Sequence, residues 1–284
     1  MMNEQILVAQ CPAASGIIAA VTTFLAEHGA YISEMSQFDD PENARFFMRA
    51  RFHWESADTN LDEIQTAFAD VADPFAMQWA FHPAKQTMRA MILVSRHDHC
   101  LADLLYRLKK GDLAMEVTAV VSNHPDLQPL VEREGLRFIH MPIEKHNKLE
   151  QEAKLLELIK DTETEVVILA RYMQILSNEL CQQLSGKVIN IHHSFLPGFK
   201  GARPYYQAYD RGVKLIGATA HYVTADLDEG PIIEQAVQPV DHTYTPEMLT
   251  AVGRDTETVT LFRAVKLHIE HRVFLNGSKT VVFR

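Results

Sequence analysis

The chain has 284 residues, is 47% hydrophobic and 23% charged, and carries a net charge of -10. No uninterrupted apolar stretch approaches the roughly 20 residues that cross a bilayer, which excludes a helical membrane span and leaves one or two globular domains. Residues 1 to 86 hold 12 acidic and 4 basic side chains and the remainder 25 and 23, so neither part shows the basic face of a nucleic-acid binder.

The first segment alternates element types. ILVAQ (6 to 10) predicts a strand, and GIIAAVTTFLAEHGA (16 to 30) has apolar residues at helical spacing and stops at Gly29. YISEMSQF (31 to 38) and RFFMRARFHW (45 to 54), joined by turn-rich DDPENA, predict a hairpin. LDEIQTAFADVA (61 to 72) predicts an amphipathic helix and AMQWAFH (76 to 82) a last strand. The order βαββαβ is the ferredoxin-like pattern, with helices on one face of an antiparallel sheet. HPAKQTM (82 to 88) is the expected linker, which places one domain at 1–86 and a second at 87–284. The uncovered sheet face and open edges of 1–86 predict association with the same segment of another chain, a dimer or a tetramer.

The second segment changes character. MILVS (91 to 95), MEVTAVVS (115 to 122), LRFIHMP (136 to 142), TEVVILA (164 to 170) and KVINI (187 to 191) are short aliphatic runs separated by helix-like stretches. Few polar positions in the strands predict a Rossmann-like, mostly parallel sheet covered on both faces, hence an α/β fold. VKLIGATAHYVT and GPIIEQAVQPV predict an antiparallel extension, and Thr245-Pro246 a cap and first turn of a C-terminal helix. The three cysteines are widely spaced, and no basic segment precedes the first apolar run, so a reducing, cytoplasmic location is expected.

In parallel sheets ligands bind beyond the carboxyl ends of the strands, where Asn190 and His192 fall. Asn190 capping a turn and His192 satisfied by backbone is the plainer account of that pair. A second polar cluster follows, with His221 late in a strand and Asp226, Asp228 and Glu229 in a loop ending at Gly230-Pro231. A solvated acidic turn is the plain account here. Together, however, the two clusters supply an amide or imidazole to stabilise an oxyanion and a carboxylate to orient the imidazole. The histidine pairs lack metal-ligand spacing, and GxGxxG, GxxxxGK[ST] and GxSxG are absent, so neither a metal nor a cofactor is expected.

Asn190-Ile191-His192, the following Ser194-Phe195-Leu196-Pro197 and Lys200-Gly201, and Asp228 in Leu227-Asp228-x-Gly230 resemble the folate-dependent formyltransferases. VVILARYMQILS (166 to 177) is similar to that family's folate-pocket wall, and the N-terminal segment resembles an ACT domain. The combination resembles the deformylase branch, hydrolases that release formate from 10-formyltetrahydrofolate. The resemblance implies that Asn190 binds the formyl oxygen, His192 stabilises the tetrahedral intermediate and Asp228 pairs with His192. It implies a folate contact surface of Arg171, Tyr172, Met173, Gln174, Ile175, Leu176, His193, Asp226 and Gly230. It also implies supply of formate for purine synthesis, and at the ACT segment either an amino-acid effector or a purely oligomerising role. The loop after the first strand reads Cys11-Pro12-Ala13-Ala14-Ser15-Gly16 where such ACT domains carry a charged pair. A sister formyltransferase and a catalytically silent folate-binding protein are the alternatives. The glycinamide-ribonucleotide transferases hold a phosphate on a small-residue loop after the first strand. The matching Ser95-Arg96-His97-Asp98-His99 has no glycine, and Asp98 opposes an anion there or caps the helix.

Overall fold

The computed structural model describes residues 4–55, 60–144, 146–198 and 204–284. Lys200 and Gly201 of the sequence motif lie outside them. The chain divides into two compact units. One comprises Met1–Gln86 with Glu270–Phe274 and Val281–Arg284, and the other Thr87–Ile269 with Leu275–Thr280. The tail, expected with the second domain, therefore belongs in part to the first unit.

The first unit runs β1 (Glu4–Pro12), α1 (Ile17–Glu27), β2 (Ala30–Asp40), β3 (Arg45–Trp54), α2 (Leu61–Ala72) and β4 (Gln78–Pro83). Its antiparallel sheet has the order β2-β3-β1-β4, the ferredoxin-like topology. Strand alternation sends Met48, Ala50 and Phe52 of β3 and Leu7 and Ala9 of β1 to the helical face, where Phe24, Leu25 and Phe68 meet them. Asn60 begins α2 by accepting the Asp62 amide at 3.1 Å. The opposite face is not left bare. Phe47 packs with Phe274 and Phe283 of the tail. Buried Arg49 donates to the Glu270 carbonyl at 3.2 Å and to Glu34 at 3.1 Å, and Arg272 donates to Glu34 at 2.9 Å. The face expected to need a second chain is thus covered in part by the chain's own tail. That tail forms a hairpin, Val273–Asn276 and Lys279–Val282, which turns at Asn276-Gly277 with Gly277 at φ 62°.

The second unit contains β5 (Met88–Val94), α3 (His99–Lys110), β6 (Met115–Ser122), α4 (Gln128–Arg133), β7 (Phe138–His140), α5 (Lys148–Asp161), β8 (Val166–Leu169) and α6 (Asn178–Gln183). It continues with β9 (Val188–His192), α7 (Pro204–Asp210), β10 (Leu215–Tyr222), β11 (Ile232–Pro239) and α8 (Pro246–Ile269). The sheet order is β11-β10-β9-β8-β5-β6-β7. Strands β5 to β9 are mutually parallel, while β10 and β11 are antiparallel additions. Burial on both faces explains their unbroken aliphatic composition: Met91, Ile92 and Leu93 are all fully buried. The order reverses between β5 and β8, so the loops after β5, β8 and β9 open onto the same end of the sheet, the usual place for a ligand. Thr245 hydroxyl accepts the Met248 amide at 3.3 Å and starts α8 as expected. The short helix α7 lies in a stretch to which the sequence reading assigns no element. No helix among the described residues is long and apolar enough to cross a membrane.

Candidate active site

Asn190 and His192 are two apart on β9 and so share one face of the sheet. The register with β10 sets Asn190 directly opposite His221, and His192 opposite Thr219. This cross-strand pairing explains the next contact, Asn190 Nδ2 to His221 Nε2 at 3.2 Å. His221 Nδ1 lies 2.9 Å from the Tyr222 carbonyl, which can only accept, so that nitrogen carries the proton. Nε2 then accepts, and the Asn190 amide nitrogen must face it. Burial holds the His221 imidazole below its ordinary pKa, consistent with this neutral form. The result fixes one N–H of Asn190 on His221 and leaves the other for a ligand.

Asp228 reaches the same place from the loop after β10. Its Oδ1 is 3.2 Å from His192 Nδ1 and 3.9 Å from His221 Nε2. Burial alone would raise the carboxyl pKa, but the hydrogen bond from His192 and the neighbouring imidazoles outweigh it and hold Asp228 below the usual range. The loop holds Asp228 at φ 57°, a left-handed conformation uncommon outside glycine. Gly230 makes that loop possible: a Cβ there would sit 1.7 Å from the Tyr222 carbonyl oxygen. With Nδ1 of His192 on Asp228, its other nitrogen, Nε2, is buried without a partner among the described residues.

A cleft of about 900 Å³, counted to its open mouth, passes over these groups. Arg171, Tyr172, Met173, Gln174, Ile175, Leu176, His193 and Asp226 all line it with Asn190, His192 and Asp228. Gly230 is absent from the lining and acts through loop packing instead. Tyr172 and Leu176 anchor the wall in the core, whereas Met173, Ile175 and Leu227 are more than half exposed. Exposed apolar side chains gathered around polar groups are typical of a ligand groove. Ser95 secures the wall by accepting the Met173 amide at 3.0 Å while donating to Asn123 at 2.6 Å. Asp98 occupies the N-cap position of α3 but makes no side-chain cap hydrogen bond, contrary to the expected capping role.

Beside the cleft lies a second polar cluster that the sequence did not disclose. Glu257 of α8, fully buried, accepts from the Tyr205 hydroxyl at 2.7 Å and is 2.8 Å from His99 Nε2. Arg171 Nε stands 3.4 Å away as an ion pair without hydrogen-bond alignment. Burial alone would raise the Glu257 pKa, but the His99 hydrogen bond and the Arg171 charge bring it below the ordinary value. Gly253, one turn earlier, admits the Tyr205 ring, which a Cβ would meet at 2.1 Å. Donor atoms of His99, Cys100 and Glu257 come within 4.8 Å of one another. Arg171 and Tyr205 already occupy the carboxylate, and burial keeps the Cys100 thiol well above its ordinary pKa.

Residues 88–265 match the formyl transferase family. The whole chain aligns at 53% identity, over 100% of both proteins, with a formyltetrahydrofolate deformylase of Corynebacterium sp. (strain P-1). The chain belongs to the formyltetrahydrofolate deformylase family. The solved deformylase of Burkholderia mallei superposes with a TM-score of 0.95 at 54% identity, covering 99% of this chain and 100% of that one. A glycinamide ribonucleotide transformylase of Symbiobacterium toebii is 30% identical with a TM-score of 0.66, covering 70% of this chain and 95% of that one. Membership in the deformylase family thus rests on full-length similarity, while the transformylase relative matches 70% of the chain.

Proposed function

We propose that the cleft hydrolyses 10-formyltetrahydrofolate to tetrahydrofolate and formate. The observation that carries this reading is the buried, unpartnered His192 Nε2 beside the Asn190 amide, with Asp228 behind it. The formyl oxygen accepts from Asn190 and, with the imidazole doubly protonated over Asp228, from His192 Nε2, so charge that develops on it in the tetrahedral intermediate is met by donors already in place. The water oxygen bonds to the formyl carbon and the C–N bond to the folate breaks. The His192–Asp228 pair takes up a water proton and returns one to the departing nitrogen. Two hydrogen-bond donors and a carboxylate are sufficient for these steps, and no cofactor is invoked. The exposed Met173, Ile175 and Leu227 offer a flat heterocycle an apolar bed.

In the cell this reaction supplies formate for purine synthesis and balances the folate pool, and the three buried free cysteines suit the cytoplasm. The N-terminal unit acts in assembly of like chains. Its outer strand β2 still exposes Tyr31 and Phe38. An amino-acid effector has less to hold it, since α1 begins at Gly16 without a side-chain cap.

The test is incubation with 10-formyltetrahydrofolate in water, with no amine present. Stoichiometric formate and tetrahydrofolate are expected. Tight folate binding without turnover would leave a silent binding protein. Turnover only when an amine is added would make the protein a transferase.

A further inference from the structure

Formyl transfer to an amine and hydrolysis differ in what stands on the far side of the formyl carbon. In this chain a second ring, His193, borders the cleft next to His192. Its ring centroid is 5.1 Å from that of His192 and 6.2 Å from that of Tyr205. It lines both the catalytic cleft and a neighbouring apolar cavity walled by Phe195, Tyr205, Ala208, Ile216 and Val237. The ring therefore separates the two spaces. Its backbone is held in place because Thr219, fully buried, accepts the Leu196 amide at 3.0 Å and donates to the Ser194 carbonyl at 2.9 Å. Among the described residues the His193 nitrogens have no hydrogen-bond partner. Behind the ring, Glu257 is already occupied by His99, Tyr205 and Arg171, so it offers an incoming amine no vacant carboxylate oxygen.

We propose that His193 seats the attacking water, while the ring and the Glu257 cluster behind it deny the same space to an amine. This rests on the hydrolase reading above. One water hydrogen bonds to the free ring nitrogen, which orients a lone pair toward the formyl carbon. The other proton passes to the His192–Asp228 pair, and a proton from that pair reaches the leaving nitrogen. The product formic acid gives its proton to solvent. His193 accepts a hydrogen bond and takes no proton: burial, with Arg171 nearby, lowers its pKa to about 3, so it is neutral at ordinary pH. A neutral imidazole can orient a water through one hydrogen bond.

The experiment compares wild type, His193→Leu, His193→Gln and His193→Gly as full chains, with 10-formyltetrahydrofolate alone and with added hydroxylamine. Formate and N-formylhydroxylamine are quantified, and tetrahydrofolate affinity is measured for each. His193→Leu keeps bulk but removes the acceptor. Its kcat for formate release should fall roughly tenfold, the worth of one hydrogen bond, with KM unchanged. His193→Gln, which keeps an acceptor, should recover most of that loss. His193→Gly joins the cleft to the apolar cavity and should raise the ratio of N-formylhydroxylamine to formate about tenfold or more, the discrimination that shape supplies in a pocket. A leucine variant that releases formate at the wild-type rate with normal folate affinity overturns the proposal. So does a glycine variant with normal folate affinity and an unchanged product ratio. Failure of the wild type itself to release formate would instead defeat the hydrolase reading.

Discussion

Two polar clusters stand side by side in the second unit, and they are built to opposite ends. Around Glu257 the carboxylate is satisfied: it receives Tyr205, lies within hydrogen-bond distance of His99 and forms an ion pair with Arg171, whose Nε makes no aligned hydrogen bond. Around His192 the network stops one bond short, with Nδ1 on Asp228 and Nε2 buried and unpaired. An unpaired buried nitrogen costs roughly 1–3 kcal/mol, and a chain that gives the Glu257 carboxylate a partner on each oxygen could have given His192 Nε2 one. The difference marks where a ligand completes the structure. A tally of polar residues would not have found it, since both clusters contain histidine and a carboxylate.

The comparison can be broken from either side. Replacing Asp228 with Asn keeps the shape but removes the charge that supports His192. Formate release should fall about 10³-fold, within the range for losing a general acid–base function, while tetrahydrofolate affinity stays near wild type. A loss below tenfold would place the proton chemistry elsewhere. Replacing Glu257 with Ala should act on stability, since it strands Arg171, His99 and Tyr205 in a buried site. Chemical denaturation should show a loss of about 3–5 kcal/mol, the usual consequence of removing one partner from a buried ion pair. An undiminished midpoint would mean that the cluster does not hold α3, α7 and α8 together.

Another histidine, partly buried, sharpens the contrast at smaller scale. His268 Nδ1 lies 2.7 Å from the Tyr222 hydroxyl, and burial lowers its pKa from 6.5 to about 4. The folded pKa lies below the unfolded one, so between pH 6.5 and 4 the unfolded chain binds the extra proton. Stability from this residue is therefore complete above pH 6.5 and is lost as pH falls through that window. At about 1.36 kcal/mol per pH unit, roughly 2 kcal/mol should be gone by pH 5. His268→Gln, which can still accept from Tyr222, should lose that part of the pH dependence. Parallel stability–pH curves for the two proteins would contradict the assignment.

Periodicity in the sequence disclosed both units, because strands buried on two faces and a βαββαβ order each leave a mark in composition. Asn190 and His192 were visible at a strand end, and Asp226, Asp228 and Glu229 together before a Gly-Pro turn, but it is the resemblance to the formyltransferases that singles out Asp228 and joins the three. His221 was noticed as a polar residue late in a strand, but its partnership with Asn190 depends on the β9–β10 register, which no local pattern encodes. The Glu257 cluster draws on four separate elements and was invisible for the same reason. The tail hairpin does carry a local signal, Asn276-Gly277 between apolar runs. Its packing on the first unit's sheet, by contrast, is a long-range fact.

The central claim is that Asn190 and His192 meet the formyl oxygen with donors already in place. Single-turnover formate release by Asn190→Ala, set against its tetrahydrofolate affinity, tests this most directly. The account predicts a rate about 10²–10³-fold below wild type with affinity within twofold, the usual consequence of deleting one oxyanion donor. A near-normal rate, or a loss of affinity as large as the loss of rate, would contradict it.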